Sequence, residues 1–128
     1  MEIKIKNIHE FYPTIVNWSK EHDFQVPAKE FYPYDIFVLN ENGNDTYCVG
    51  VFVADQAALT VFAHSNKKVK RSRVGLELLY KTIEKYVKQL GVLILLTTTD
   101  TNRIRTALNN CGWKKGDVKV DHYFKIVN

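Results

Sequence analysis

No apolar run in this sequence approaches the roughly 18 consecutive residues that a membrane-spanning helix needs. The opening stretch MEIKIKNIHEF alternates charged and apolar residues and lacks the apolar centre of a signal peptide. The expectation is a protein that works inside a cell, in the cytoplasm, with no membrane partner. Cysteine is scarce. Cys48 and Cys111 are the only two, and neither lies in a CxxC or Cys/His ligand spacing. That usage suits a reducing compartment and offers no zinc site. There is no GxxxxGKS/T loop and no GxGxxG turn, so neither a P-loop nor a dinucleotide fingerprint is present. No Ser/His/Asp set stands out either; Asp121 and His122 precede Tyr123 without a third partner that sequence places. Repeats, low-complexity tracts and linker-like segments are absent, which predicts one domain over residues 1–128.

What is present is an ordinary soluble composition with an uneven charge. Hydrophobic residues make up 45% and charged residues 25% of the 128, enough for a buried core. Residues 1–63 carry 4 Lys and 9 Asp/Glu, net −5; residues 64–128 carry 14 Lys/Arg and 5 Asp/Glu, net +9. A basic half suits an anionic ligand, either a phosphorylated cofactor or a nucleic acid.

The periodicity predicts a strand over Glu2–Ile8, then a helix over His9–His22 with Phe11, Ile15, Trp18 and His22 on one stripe. Pro13 fits only the first turn of that helix, or kinks it. Asp23–Asp35, with Pro27 and Pro33, reads as an aromatic loop. Three strand-like runs follow: Asp35–Leu39, Thr46–Ala54 and Ala58–His64. The Asn40–Asn44 and Asp55–Ala57 turns between them are short, which makes an antiparallel meander. Gly50 marks a bulge or a close backbone approach. A helix follows Gly75 and ends at Gly91, with Leu78, Leu79, Ile83, Tyr86, Val87 and Leu90 inward. Lys81, Lys85 and Lys88 face outward, and Glu84 with Lys88 forms an i,i+4 pair. Val92–Thr98 is a nearly continuous apolar strand, expected to be covered on both faces and to pair in parallel across a right-handed crossover. A short helix, Arg103–Asn110, stops at Gly112, and a hairpin-like end finishes with a strand over His122–Val127. The fold class is therefore mixed α/β: a mixed central sheet with an antiparallel meander followed by a βαβ crossover.

The stretch around which this order turns is KKVKRSRVG. Five of seven residues are cationic: Lys67, Lys68, Lys70, Arg71 and Arg73. It lies between an apolar strand and a helix. Helix N-termini carry unpaired N–H groups and a favourable dipole, so the strand, basic turn, glycine and helix make a place to hold phosphate. The plainer reading is a solvated basic loop.

In element order and in these residues the chain resembles the GNAT superfamily of acyl-CoA-dependent N-acetyltransferases. That family holds the pyrophosphate on a turn of pattern Q/R-x-x-G-x-G/A. Here it reads Lys70-Arg71-Ser72-Arg73-Val74-Gly75, with Lys70 for Gln or Arg and Arg73 in place of the first glycine. Cys111-Gly112-Trp113 is similar to the family's closing Gly-Phe. The resemblance implies acetyl-CoA as co-substrate, bound by Lys70, Arg71, Ser72, Arg73, Val74, Gly75 and Asn102. It also implies a backbone N–H at Phe62 or Ala63 that polarises the thioester, beside a bulge that admits the pantetheine arm. The amine, small or on a protein, attacks directly. The tyrosine that usually protonates the thiolate is missing: the matching position is Leu108.

His64 is a candidate general base beside the basic turn, or a strand-end histidine bonded to backbone. Tyr123 is a candidate replacement acid, or a packed aromatic. Glu30, Tyr32 and Tyr34 are candidates for binding the acceptor, or members of a hydrophobic lid. Cys111, at a helix C-terminus, is no convincing nucleophile. The alternative function is a GNAT-shaped protein that no longer acetylates. It would serve as a structural or nucleic-acid-associated component of phage type, located in a virion. A homodimer is a further expectation from the resemblance.

Overall fold

The computed structural model describes residues 1–23, 25–99, 101–116 and 125. Strand β1 (Glu2–Asn7) leads directly into helix α1 (Ile8–Glu21). Asn7 is the hinge: it ends the strand, and its Oδ1 caps the helix by accepting the Glu10 N–H at 2.8 Å. The helix thus starts one residue earlier than periodicity predicts. Phe11, Ile15 and Trp18 are buried as expected, but His22 falls outside as the C-cap residue. Pro13 is the sixth helical residue, not a first-turn one, so the His9 carbonyl loses its usual helical donor.

The loop after α1 contains one short 3₁₀ turn at Lys29–Phe31. Three antiparallel strands follow: β2 (Asp35–Glu41), β3 (Asn44–Ala54) and β4 (Ala57–Ser65). The first two are longer than predicted because the connecting turn is only two residues. Asn42 and Gly43 take φ of 53° and 81°, the left-handed pair that a tight hairpin of right-twisted strands requires. Helix α2 (Arg73–Gln89), strand β5 (Ile94–Leu96) and helix α3 (Asn102–Asn110) complete the described elements. The five strands lie in the order β1-β2-β3-β4-β5. All neighbours pair antiparallel except β4 and β5, which are parallel across the α2 crossover.

The period-2 alternation of the meander gives each sheet face its own core. Phe37, Leu39, Tyr47, Val49 and Val51 pack with Leu76, Leu79, Tyr80, Ile83 and Val87 of α2 and with Ile104, Ala107 and Leu108 of α3. Ile36, Val38 and Cys48 pack with Ile8, Phe11, Ile15 and Trp18 of α1. Each such large apolar side chain contributes roughly 1.5–3 kcal/mol relative to exposure. The inward stripe of α2 is rotated from the predicted one. It runs through Leu76, Leu79, Tyr80, Ile83 and Val87, while Leu78 and Tyr86 are half-buried and Leu90 is exposed. Lys81, Lys85 and Lys88 do face solvent. Glu84 and Lys88 form no ion pair among the described residues.

Two glycines close helices in the left-handed conformation, each with the paired bonds of a Schellman ending. Gly91 (φ 84°) donates to Lys88 O at 3.1 Å, and Val92 donates to Val87 O at 3.1 Å. Gly112 (φ 84°) donates to Asn109 O at 3.1 Å, and Trp113 donates to Leu108 O at 3.0 Å. The first ending draws Val92 out of the predicted strand and under α2. That leaves β5 only three residues long, with Ile94 and Leu96 exposed rather than covered on both faces. Apart from Lys125, the predicted final strand, with His122 and Tyr123, lies outside the described residues.

Candidate functional site

The site begins with a break in the sheet. The β3–β4 register shifts between Cys48 and Gly50: Cys48 lies opposite His64, but Gly50 lies opposite Val61. The extra residues on β4 form a bulge, and Phe62 there takes φ 55°. A non-glycine residue in this region is strained and points to a local requirement. Gly50 serves both roles open to it. It faces the bulge, and a Cβ there would meet Pro33 Cγ at 2.7 Å. On the other side of β4, the parallel ladder stops at Leu59–Leu96. Just beyond it the hydroxyls of Thr60 and Thr97 meet. The bulged segment, with half-buried Phe62 and exposed Ala63, has no strand partner on the β5 side among the described residues.

The basic turn follows, and its charges divide into two groups. Lys68 forms an ion pair with Glu21 at 3.3 Å, and Lys67 Nζ donates to Glu21 O at 3.3 Å. These two lysines tie the turn to the end of α1. Lys70 and Arg73 are exposed. The Arg71 guanidinium lies over the Tyr47 ring, 5.3 Å from its centroid, and its Nε is buried without a hydrogen-bond partner among the described residues. Arg103, in the first turn of α3, donates through Nη1 to Arg71 O at 3.2 Å. The start of α3 is thereby fastened to the turn, and a fourth cation joins Lys70, Arg71 and Arg73. Asn102, the first residue of α3, is beside it, with its Oδ1 accepting from Arg105 at 3.0 Å.

Helix α2 starts at Arg73, two residues before the predicted glycine, because Ser72 caps it. The Ser72 Oγ accepts the Gly75 N–H at 2.9 Å. Ser72 in turn is held by Glu41. Its N–H donates to Glu41 Oε1 at 3.1 Å and its hydroxyl to Oε2 at 2.6 Å. Thr46 Oγ1 also donates to Glu41 Oε1, at 3.2 Å. Glu41 is only 9% exposed, and its carboxylate sits against the positive end of α2. Gly75 is buried for the same reason: a Cβ would approach Glu41 Cδ, Glu41 Oε1 and Leu39 Cδ2 to 2.9 Å each. The close approach that this glycine permits is therefore to β2. The N–H groups of Ser72 and Gly75 are already committed. Those of Arg73 and Val74 have no acceptor among the described residues.

A second polar group lies on the α1 face. His64 is buried and pairs through Nε2 with the Tyr32 hydroxyl at 2.8 Å. Burial, aided by His22, lowers the imidazole pKa to about 4, so it is neutral at pH 7. Burial raises the Tyr32 phenol, which stays protonated. The Tyr32 ring packs on Phe62, centroids 4.6 Å apart, and so touches the bulge directly. A small cavity of about 90 Å³ borders His64, Ala63, Ser65, His22 and Ser19. His22 contacts Ser65 O and Oγ at 3.0 and 3.2 Å.

Of the residues singled out from sequence, Phe62, Ala63, His64 and Tyr32 come together. Lys70, Arg71, Ser72, Arg73, Val74, Gly75 and Asn102 cluster where α2 and α3 begin. Glu30 and Tyr34 are exposed; Tyr34 packs edge-on with His9, and neither meets His64. His64 makes a side-chain pair with Tyr32 through Nε2. Tyr123 lies outside the described residues. Both cysteines are raised by burial, Cys48 fully enclosed and Cys111 less so, and neither is an activated thiolate. Sequence reasoning missed Glu41, Arg103 and His22. Arg103 had a signal in its position beside Asn102; Glu41 had none, because only the hairpin register places it.

Solved structures share this arrangement of strands and helices. The wild-type TTHA1254 protein of Thermus thermophilus superposes over 100% of both chains, with TM-score 0.73 and 15% identity. The aminoglycoside acetyltransferase meta-AAC0020 from a soil metagenome, solved with sisomicin, matches over 98% of this chain and 96% of its own, with TM-score 0.71 and 11% identity. Glucosamine-6-phosphate N-acetyltransferase of Arabidopsis thaliana matches over 98% of this chain and 100% of its own, with TM-score 0.62 and 11% identity. The chain has a divergent GNAT-like fold. No family model and no curated protein sequence matches it.

Proposed function

We propose that this protein transfers an acetyl group from acetyl-CoA to an amine by direct attack. The observation that carries the reading is one juxtaposition. A strained, unpaired bulge on β4 leads straight into a capped helix start ringed by Arg71, Arg73 and Arg103. The residues fit a pyrophosphate: among the described residues the Arg73 and Val74 N–H groups lack acceptors, and the buried Arg71 Nε is unpartnered. Arg71, Arg73, Lys70 and Arg103 supply the positive charge, with Asn102 beside them. Ser72 and Gly75 act from behind by fixing the turn. At the bulge, a backbone N–H of Phe62 or Ala63 polarises the thioester carbonyl. As the amine nitrogen bonds to the carbonyl carbon, its N–H becomes strongly acidic. His64, held neutral and oriented by Tyr32, accepts that proton. The C–S bond then breaks and the thiolate leaves. Helix α3 contains no tyrosine to protonate it, and its Leu108 is buried.

The acceptor in this reading is an amine on a small molecule or a protein. A second reading is supported by Glu41, whose carboxylate already occupies the front of α2. In that reading the basic cluster binds a nucleic-acid backbone or a virion component, and no acetylation occurs.

Calorimetric titration with acetyl-CoA separates the two. Saturable binding that falls at least tenfold in Arg73→Glu, followed by thiol release with an amine panel, is the expected result. Failure of the folded wild type to bind acetyl-CoA would overturn the first reading. DNA affinity that falls steeply with salt would then favour the second. Gly75→Trp is unsuitable as a probe, since the side chain would collide with β2 whatever the ligand.

A further inference from the structure

The β2–β3 ladder ends at the Ile36–Gly50 pair, while β3 runs on through Val51, Phe52 and Val53 against β4. The start of β2 and the end of β3 are thus the two sides of an open fork. A cavity of about 350 Å³ fills it. That volume lies within the roughly 300–1,000 Å³ common for small-ligand sites.

The lining is chemically one-sided. Tyr32, Tyr34, Phe37, Phe52 and Tyr86 supply five rings, and among the described residues of the wall Asp35 is the one that is charged. Tyr86 holds the carboxylate in place by donating to Asp35 Oδ2 at 3.3 Å. Its own ring is fixed edge-on against Phe37, centroids 5.1 Å apart. No ion pair among the described residues involves Asp35. Tyr34 and Phe52 stand at the mouth, 63% and 42% exposed. Large aromatic surface left in water beside a carboxylate without a cation is a wall awaiting a positive, apolar occupant.

Ring faces carry negative potential, and a carboxylate adds to it, so an anion is repelled. A metal ion is poorly served, because no group of three His, Cys, Asp or Glu side chains gathers among the described residues. A neutral apolar molecule would gain nothing from Asp35. We propose that the fork binds an organic ammonium ion, its alkyl groups against the rings and its charge toward Asp35. The fork shares Tyr32 with the His64 pair but contains no residue of the basic turn, and binding of the cation there does not require acetyl transfer.

The test is titration of the full chain with tetramethylammonium, without acyl-CoA, against tert-butanol as a neutral molecule of similar shape. Saturable binding of the cation alone is expected. Asp35→Asn keeps the acceptor for Tyr86 but removes the charge, and should weaken binding by about tenfold. Tyr34→Ala and Phe52→Ala, at exposed positions that leave the fold intact, should each weaken it roughly two- to fivefold. The proposal is overturned if the folded wild type shows no saturable binding, if tert-butanol binds equally well, or if these variants all bind like wild type.

Discussion

Gly75→Ala tests whether Glu41 is the keystone of the basic turn. In an ordinary helix this change would stabilise by up to about 1 kcal/mol, because alanine has the better helix propensity. Here the new methyl would lie 2.9 Å from Glu41 Cδ, Glu41 Oε1 and Leu39 Cδ2. Glu41 cannot swing aside freely, since Ser72 and Thr46 hold its carboxylate with three hydrogen bonds. Overpacking of this kind costs roughly 1–3 kcal/mol, and each displaced bond to a charged group roughly 1.5–3 more. The net expectation is a loss of about 2 kcal/mol. At this chain length that corresponds to roughly 5–10 °C in Tm. The sharper measurement is a double-mutant cycle by urea denaturation. Glu41→Ala alone should cost about 2–3 kcal/mol by leaving the Ser72 N–H and hydroxyl without their acceptor, while Thr46 keeps Leu39 O at 3.4 Å. It also removes two of the three atoms in the way of the new methyl. Gly75→Ala made in that background should therefore cost at least ~1 kcal/mol less than in wild type. Independent sites add to within about 0.5 kcal/mol. Additive costs in this cycle would refute the argument that Gly75 is glycine because of Glu41.

Three further outcomes follow from the geometry. His64 has a folded pKa of about 4, below its ordinary value, so its neutral form belongs to the native state. Its contribution is fully present above pH ~6.5 and is lost as pH falls toward 4, by at most ~3 kcal/mol. Denaturant midpoints at pH 7, 5.5 and 4.5 should show this slope in wild type and less of it in His64→Gln; equal slopes would discredit it. Ser72→Ala removes the cap of α2 and one Glu41 bond, so a loss of about 1–3 kcal/mol is expected in thermal melts. A change under ~0.5 kcal/mol would mean that water replaces the hydroxyl. Gly50→Ala should cost roughly 1–3 kcal/mol through the collision with Pro33, measurable by the same melts. A neutral result would show that the loop yields at Pro33.

Strand and helix order was legible because local signals agreed with the global fold. The Thr46–Ala54 run, the Asn42–Gly43 turn chemistry and the glycine stops of α2 and α3 all state their own conformation. The predicted parallel pairing of the strand after α2 was observed. Its expected burial was not: apolar content announces a strand, but coverage depends on which neighbours arrive. The start of α2 was read three residues late, because Gly75 was taken as a loop residue when Ser72 was the cap. Glu41 was hidden for a deeper reason. It stands in an asparagine-rich turn, and nothing local says that the β2–β3 register will carry its carboxylate to a serine 31 residues later. The Tyr32–His64 pair is likewise non-local. Arg73, odd as a glycine replacement, makes sense once it is the first residue of a helix and not part of a tight loop.

The contrast between the meander and β5 has a consequence for the order of assembly. β2, β3 and β4 are joined by two-residue turns, so their ladders close small loops and lose little chain entropy in doing so. The β4–β5 ladder is three pairs long and closes only after the whole of α2 has been laid across the sheet. The three-stranded meander is therefore expected to form early and to open last. Native-state hydrogen exchange should find its amides at Val38, Cys48 and Val49 protected up to the global unfolding free energy. Those at Leu95 and Leu96 should exchange through a cheaper, partial opening that detaches β5 from β4 while the hairpins stay closed.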